Sequence, residues 1–311
     1  MPVRIVTDSA ADIPSAIVRE LGITVVPAYV NFGNKSFRDG VDINCDEFYD
    51  KLTNGPVSPS TSQATPSDFA AVYRELAKET DEIISIHMSD KFSGTFSSAQ
   101  RGKTLADMKC NITMIDSGTI TMALGLIAMS AAKLANSDKS PTEIVANIQQ
   151  GINNTRLLGT FDTLKYLARG GRIGKGKALL GSILNVKPVV TIRDGAISPV
   201  GNFRTRTKAL DKLTEMVQSA SGVQEMAIVH ATTPDEAQNF KKRLSPFVAD
   251  NRLYLARLGP AIGVHTGPGT IVLVMRNNGG KSEVIDAASK PLVKLPPLHL
   301  PKINRPTHRQ V

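Results

Sequence analysis

A chain of 311 residues, 41% hydrophobic and 21% charged, is long enough for two ordinary domains that each bury a core. Its 24 glycines and 18 prolines are near globular averages, which excludes collagen-like, low-complexity and highly charged disordered classes for most of its length. The net charge of +9 is unevenly placed: five basic residues and no acid lie between Ser289 and Val311, leaving +4 for the remainder.

The first segments, in chain order, alternate short β-branched runs with helical patterns. Strands are predicted at Val3 to Thr7, Ile23 to Val30, Glu82 to His87 and Ile112 to Asp116. Helices are predicted at Pro14 to Leu21, Pro66 to Thr80, Thr95 to Asp107 and Thr121 to Asn136. This alternation implies a parallel sheet covered by helices. Thr65 with Asp68, and Ser140 with Glu143, have capping-box spacing and place helix starts just after Thr65 and Ser140. The polar stretch Ser58 to Thr65 then reads as a loop feeding a helix. The apolar run Met122 to Ala135 is too short for a bilayer span, which needs about 20 residues, and reads as a buried helix.

Near Asn154 the pattern changes. Strands are predicted at Leu157 to Phe161, Pro188 to Arg193, Ile197 to Phe203, Met226 to His230, Tyr254 to Arg257 and Thr270 to Met275, with a hairpin at Asp194-Gly195. Helices are predicted at Lys177 to Leu184, Thr207 to Ser219 and Pro234 to Leu244. The expected fold class is therefore α/β in two domains: a parallel-sheet domain over residues 1–155, then an α+β domain with a mixed sheet over 156–280. Residues 281–311 form a basic tail whose five prolines between Pro291 and Pro306 deny it helix or central strand. No aromatic is interleaved there for base stacking, so the tail reads as a solvated appendage rather than a nucleic-acid arm. The N-terminus enters a strand without a basic leader, which predicts no signal peptide and a cytoplasmic location. Cys45 and Cys110 form no CxxC or Cys/His cluster, so neither a disulfide framework nor a metal site is expected, and both read as buried small residues.

Four loops are candidates for chemistry. Ser60 to Pro66 and Ser93 to Ala99 both present hydroxyls beside a helix start, where unpaired amides and the positive dipole end suit a carboxylate or phosphate. Gly171 to Lys177 matches G-x-x-x-x-G-K, yet Ala178 replaces the hydroxyl that would hold Mg²⁺, so a nucleotide loop is rejected in favour of a basic loop whose Arg172 meets an anion. Gly259 to Gly269 reads as a fixed irregular loop around His265, an imidazole able to donate to an anion. His87 and His230 end predicted strands and read as structural.

Thr61-Ser62-Gln63, Ser93-Gly94-Thr95, the run LKYLARGGRIG from Leu164 to Gly174, Lys187-Pro188 and GPAIGVHTGPG occur in an order and spacing that resembles the DegV family of bacterial fatty-acid-binding proteins, over roughly residues 1 to 280. Where that family shows TSQP this chain has Ala64, with its proline at Pro66. The resemblance implies a two-domain protein that encloses one long-chain fatty acid between its domains and hands it to a separate fatty-acid kinase, which makes an acyl-phosphate for phospholipid synthesis. It implies no cofactor, no metal, no catalytic machinery in this chain, no nucleic acid and at most transient membrane contact. Thr61 and Ser93 then correspond to hydroxyl donors for the carboxylate, with Gly94 and His265 beside them. Arg172 corresponds to a basic residue at the entrance, and Arg204 and Arg206 are candidates for kinase contact. The alternative is a serine hydrolase with Ser93 as nucleophile, His265 as base and Asp8, Asp116 or Asp162 as orienting group. Against it, Lys91 stands where a G-x-S-x-G elbow has its first glycine.

Overall fold

The computed structural model describes residues 2–179 and 186–278. In chain order the first elements are β1 (Arg4–Asp8), α1 (Ser15–Leu21), β2 (Thr24–Val26), β3 (Tyr29–Phe32), β4 (Lys35–Arg38), α2 (Cys45–Asn54), β5 (Ser60–Ser62), α3 (Pro66–Leu76), β6 (Glu82–His87), α4 (Thr95–Ala106), β7 (Asn111–Asp116), α5 (Thr121–Ala135) and α6 (Pro141–Asn154). There follow β8 (Thr155–Thr160), α7 (Lys165–Arg169), β9 (Lys187–Arg193), β10 (Ala196–Phe203), α8 (Arg206–Gln218), β11 (Val223–His230), α9 (Pro234–Leu244), β12 (Leu253–Arg257), α10 (Pro260–Thr266) and β13 (Ile271–Asn277).

The fold is the expected α/β class. Four strands form an all-parallel sheet in the order β2-β1-β6-β7. Six more form a mixed sheet, β10-β9-β8-β13-β11-β12, antiparallel throughout except for the β11–β12 pair. Helices α3 and α4 cover one face of the parallel sheet through Phe69, Tyr73 and Ala99, while α8 and α9 cover the outer face of the mixed sheet through Leu213 and Phe240. Between the two sheets runs α5, packed on β1 and β6 on one side and on β8, β11 and β13 on the other. That position explains its composition: every residue except Lys133 and Leu134 is buried, so it is apolar all round rather than along one stripe. Gly125 allows the closest approach, since a Cβ there would lie 2.7 Å from the Ala11 carbonyl oxygen.

Both capping boxes form, with Thr65 and Ser140 accepting from the amides of Asp68 and Glu143. The hairpin turn also forms, with Asp194 and Gly195 both at positive φ, as a tight two-residue β-turn requires.

Several expectations need correction. The strand predicted at Ile23 to Val30 is divided, because Pro27 has no N–H to continue a ladder; β2 joins the parallel sheet, and β3 leads a small antiparallel sheet, β4-β3-β5. The loop predicted at Ser58 to Thr65 therefore contains a strand, with Thr61 paired to Val30. The irregular loop predicted around His265 is α10, started by Pro260 in its first turn and closed by Gly267 at φ 77°. Helix α2 went unpredicted although Asn44 caps it by accepting from the Glu47 amide. The helix predicted at Lys177 to Leu184 is replaced at its start by a 3-10 turn over Gly174–Leu179, and 180–185 lie outside the described residues. The basic tail lies outside them too. Cys45 and Cys110 are free thiols, and both are half-buried rather than buried.

Candidate functional site

A narrow cavity, partly open to solvent, lies between the inner face of the mixed sheet and the C-terminal ends of the parallel strands. Its position obeys the general rule for α/β proteins, in which ligands bind in the crevice beyond the carboxyl ends of parallel strands.

One wall is the alternating inner face of the sheet: Leu157 and Gly159 on β8, Val190 and Ile192 on β9, and Val272 on β13. Gly159 is paired in register with both Val190 and Val272, so the central position of that row carries no side chain and the Phe161 ring packs over it. The opposite wall comes from Met88, Phe92 and Ile120, which follow β6 and β7, and from Ala261 and Ile262 of α10.

Polar groups gather at one end. There the cavity is lined by Thr61, Ser62 and Gln63 from β5 and the turn after it, Ser93 and Thr95 from the start of α4, and His265 of α10. Strand pairing with β3 holds Thr61, whose Oγ1 lies 2.8 Å from His265 Nε2. Ser93 Oγ lies 2.8 Å from Thr95 Oγ1, and the Thr95 amide donates to Ser93 Oγ at 3.3 Å. Gly94 is the N-cap of α4, and the amides of the first helical turn have no intrahelical acceptor. Gln63 lies across Gly94, where a Cβ would come within 3.1 Å of its Nε2.

The electrostatics favour an anion. Burial first, then the Arg172 and Arg169 guanidinium groups, lower the His265 pKa to about 4, so the imidazole is neutral at physiological pH. Its Nδ1 is buried without a hydrogen-bond partner and faces Gly170, where a Cβ would lie only 2.1 Å away. In the tautomer protonated at Nε2, His265 donates to Thr61 Oγ1 and leaves the threonine hydroxyl hydrogen free for a ligand oxygen. Arg172 is exposed at the mouth, donating to the carbonyl oxygens of Gly170 at 2.7 Å and Phe92 at 3.3 Å. Among the described residues it supplies the cavity's permanent charge, and no acidic side chain lines the space.

The helix bearing His265 is positioned from below by buried acids. Asp12 accepts from the Gly259 amide at 2.8 Å and from Thr121 Oγ1 at 2.5 Å, and Asp39 accepts from the Ala261 amide at 3.2 Å. Thr121 adopts φ 50°, a left-handed conformation unfavourable for a β-branched residue, to reach Asp12.

A family model described as "Uncharacterised protein, DegV family" matches residues 2–277. This chain belongs to the DegV family. Protein DegV of Bacillus subtilis is 32% identical to it over 275 residues, covering 87% of this chain and 98% of the relative. A DegV domain-containing protein of Caldanaerobacter subterraneus subsp. tengcongensis is 35% identical over 269 residues, covering 86% and 95%. Among solved structures, a DegV family protein from Thermus thermophilus, described by its fatty acid binding, matches with a TM-score of 0.83 at 30% identity, covering 89% of this chain and 100% of that one. DegV of Bacillus subtilis, described as a fatty acid binding protein, matches with a TM-score of 0.81 at 31% identity and the same coverage.

In this DegV-family chain Thr61, Ser93, His265 and Arg172 all line the one cavity, and Gly94 borders it between Ser93 and Thr95. Arg204 and Arg206 do not line it. Arg204 is exposed just before α8, and Arg206 forms a bidentate pair with Glu236 of α9 at 2.9 to 3.2 Å. The hydrolase constellation is not assembled, since His265 Nε2 engages Thr61 and Ser93 Oγ engages Thr95. Its three acids are committed elsewhere: Asp8 to His87 and the Met88 amide, Asp116 to the Gly118 amide, and Asp162 to Lys187. His87 is structural, as read from sequence, relaying from Asp8 to Ser85 inside the parallel sheet.

Sequence reasoning overlooked Gln63, Thr95, Gly159 and Asp12. Thr95 and Gln63 stood inside the quoted motifs and were open to notice. Nothing local marks Gly159, whose importance comes from its two cross-strand neighbours.

Proposed function

We propose that this chain binds one long-chain fatty acid in the cavity and presents its carboxylate to a separate fatty-acid kinase for acyl-phosphate formation. The observation that carries this reading is an apolar enclosure ending in paired hydroxyls instead of a charged clamp. In the proposed complex Thr61 and Ser93 donate to the carboxylate, the Gly94 region of the α4 N-terminus supplies amide and dipole, and His265 orients the Thr61 hydroxyl. The ligand then lies between two domains, residues 1–155 and 156–280, with no cofactor required.

Energetics support the assignment. A tail of about fifteen methylenes gains up to ~12 kcal/mol on leaving water at ~0.8 kcal/mol each. Desolvating the head group opposes this by several kcal/mol unless donors replace its water. Neutral donors replace that water while leaving the carboxylate ionised, the form a phosphoryl acceptor needs. An Arg fork in direct contact would occupy both oxygens; Arg172 instead faces backbone carbonyls at the mouth, where it favours anions without pinning them.

Native mass spectrometry of the purified protein, followed by organic extraction, tests the binding. One copurifying fatty acid per chain is the expected result, and delipidated protein that takes up no fatty acid would refute it. Presentation is tested separately by adding a fatty-acid kinase and ATP to the loaded protein. Acyl-phosphate should form from bound lipid, and a bound lipid that stays unphosphorylated would limit the role to storage or transport.

A further inference from the structure

Behind the apolar cavity lies a second, polar cleft, bordered by the loop after β7, the end of α6 and the tip of the β9–β10 hairpin. The two spaces share two lining residues, Leu157 on β8 and Ile192 on β9. Leu157 is 5% exposed, and on the cleft side its neighbours include Arg156, which donates to the Asn153 carbonyl oxygen at 2.6 Å.

We infer that Leu157 and Ile192 form the end wall of the lipid cavity and set the longest acyl chain it accepts. This rests on the fatty-acid reading above and adds to it the determinant of chain length. The direction of the tail follows from the strand. Phe161 packs with Leu164, Leu167 and Ile173, beside the loop that carries Arg172 at the mouth. Leu157 on β8 is four residues before Phe161, which directly follows the strand, ~13 Å away at ~3.3 Å per residue and lining the same cavity. Gly159 between them adds no side chain of its own, and the Phe161 ring lies over it. A tail whose head stays at the mouth therefore runs along this face past the Phe161 ring and meets Leu157 and Ile192. Beyond them a methylene would pass from apolar surroundings into a cleft lined by Arg156, Asn153 and Asp116, so the wall imposes a sharp limit.

The test is a competition in which the full chain is offered a mixture of saturated fatty acids from short to very long, and the retained acids are identified by mass spectrometry of the extract. Leu157→Ala should move the preferred acid about two carbons longer, close to the side-chain length removed, and Leu157→Phe should move it shorter. Ile192→Ala, at a less buried position of the same wall, should also lengthen the preference, and it serves if Leu157→Ala does not fold. Unchanged chain-length profiles in folded Leu157→Phe and Ile192→Ala, with the unaltered protein retaining fatty acid, would overturn the wall assignment alone. Failure of the unaltered protein to retain any acid would overturn the fatty-acid reading and this inference with it.

Discussion

The hydrogen bond between Thr61 and His265 joins residues 204 positions apart and ties β5 to α10 at the polar end of the cavity. Replacing Thr61 or Ser93 with Ala removes one donor to the proposed carboxylate. Each change should weaken lipid retention by about 1 to 3 kcal/mol, measured as the affinity ratio in a lipid-binding titration. Unchanged affinity in both variants would contradict the head-group assignment. The buried acids make a separate prediction. Burial raises the Asp39 pKa from 3.8 to about 6, and burial raises Asp12 in the same direction. The folded state holds the Asp39 proton more tightly than the unfolded chain, so the associated stability is fully present below about 4 and is lost as pH rises through about 6. For Asp39 that contribution amounts to about 3 kcal/mol. His265 has the opposite sign: with its pKa lowered to about 4, its contribution is present above 6.5 and lost as pH falls through 4. Asp39→Asn should therefore remove the Asp39 share, and denaturation measured at pH about 4 and about 7 should show it as a change of about 3 kcal/mol in the pH dependence.

At the level of elements, periodicity and punctuation were legible wherever the signal was local. The capping boxes at Thr65 and Ser140 and the Asp194-Gly195 turn are set by contacts within a few residues of themselves, and the strand Glu82–His87 is marked by its own run of isoleucines although its ladder partners are distant. Short elements stabilised by distant partners were not legible. Three serine and threonine residues from Ser60 to Ser62 have no apolar alternation, and they become β5 only because β3 supplies the ladder. Helix α10 is just seven residues long and begins among glycines and prolines; the Asp12 and Asp39 carboxylates hold its first amides. An isolated helix that short would not form in water. Strand β8 shows the same dependence in its function. Gly159→Val would place a branched side chain between Val190 and Val272, where even a Cβ lies 3.2 Å from Phe161 Cζ. Lipid uptake should fall at least tenfold, equivalent to about 1.4 kcal/mol, while the circular dichroism spectrum stays unaltered; full uptake would show that the chain does not cross this position.

For the molecule as a whole, α5 and the β9–β10 hairpin bind the two sheets together. The hairpin tip docks on the loop after β6, with Lys91 Nζ donating to the Asp194 carbonyl oxygen at 2.5 Å and Ser89 Oγ to that of Gly195 at 3.2 Å. The cavity lies between the halves so joined, so a ligand that fills it bridges both and binds only the folded state. Fatty acid at about 100 times its Kd should then raise unfolding free energy by ~2.7 kcal/mol, read as a higher Tm for loaded than for delipidated protein. Equal melting temperatures would mean that the lipid does not reach the cavity.

Sequence by itself determined the α/β class, the order of the long elements, the buried character of α5 and the family likeness through Thr61, Ser93 and His265, because each depends on residue type and short spacing. Among the described residues no helix is long and apolar enough to cross a membrane, in keeping with the reading of Met122 to Ala135. Tertiary structure alone decided that these residues share one cavity, that Arg206 is committed to Glu236, that Gly159 sits between Val190 and Val272 under the Phe161 ring and that Leu157 and Ile192 line both the cavity and the polar cleft. Those facts depend on which strands become neighbours across a hundred or more residues, and the chemistry of a residue read in line carries no record of what will face it.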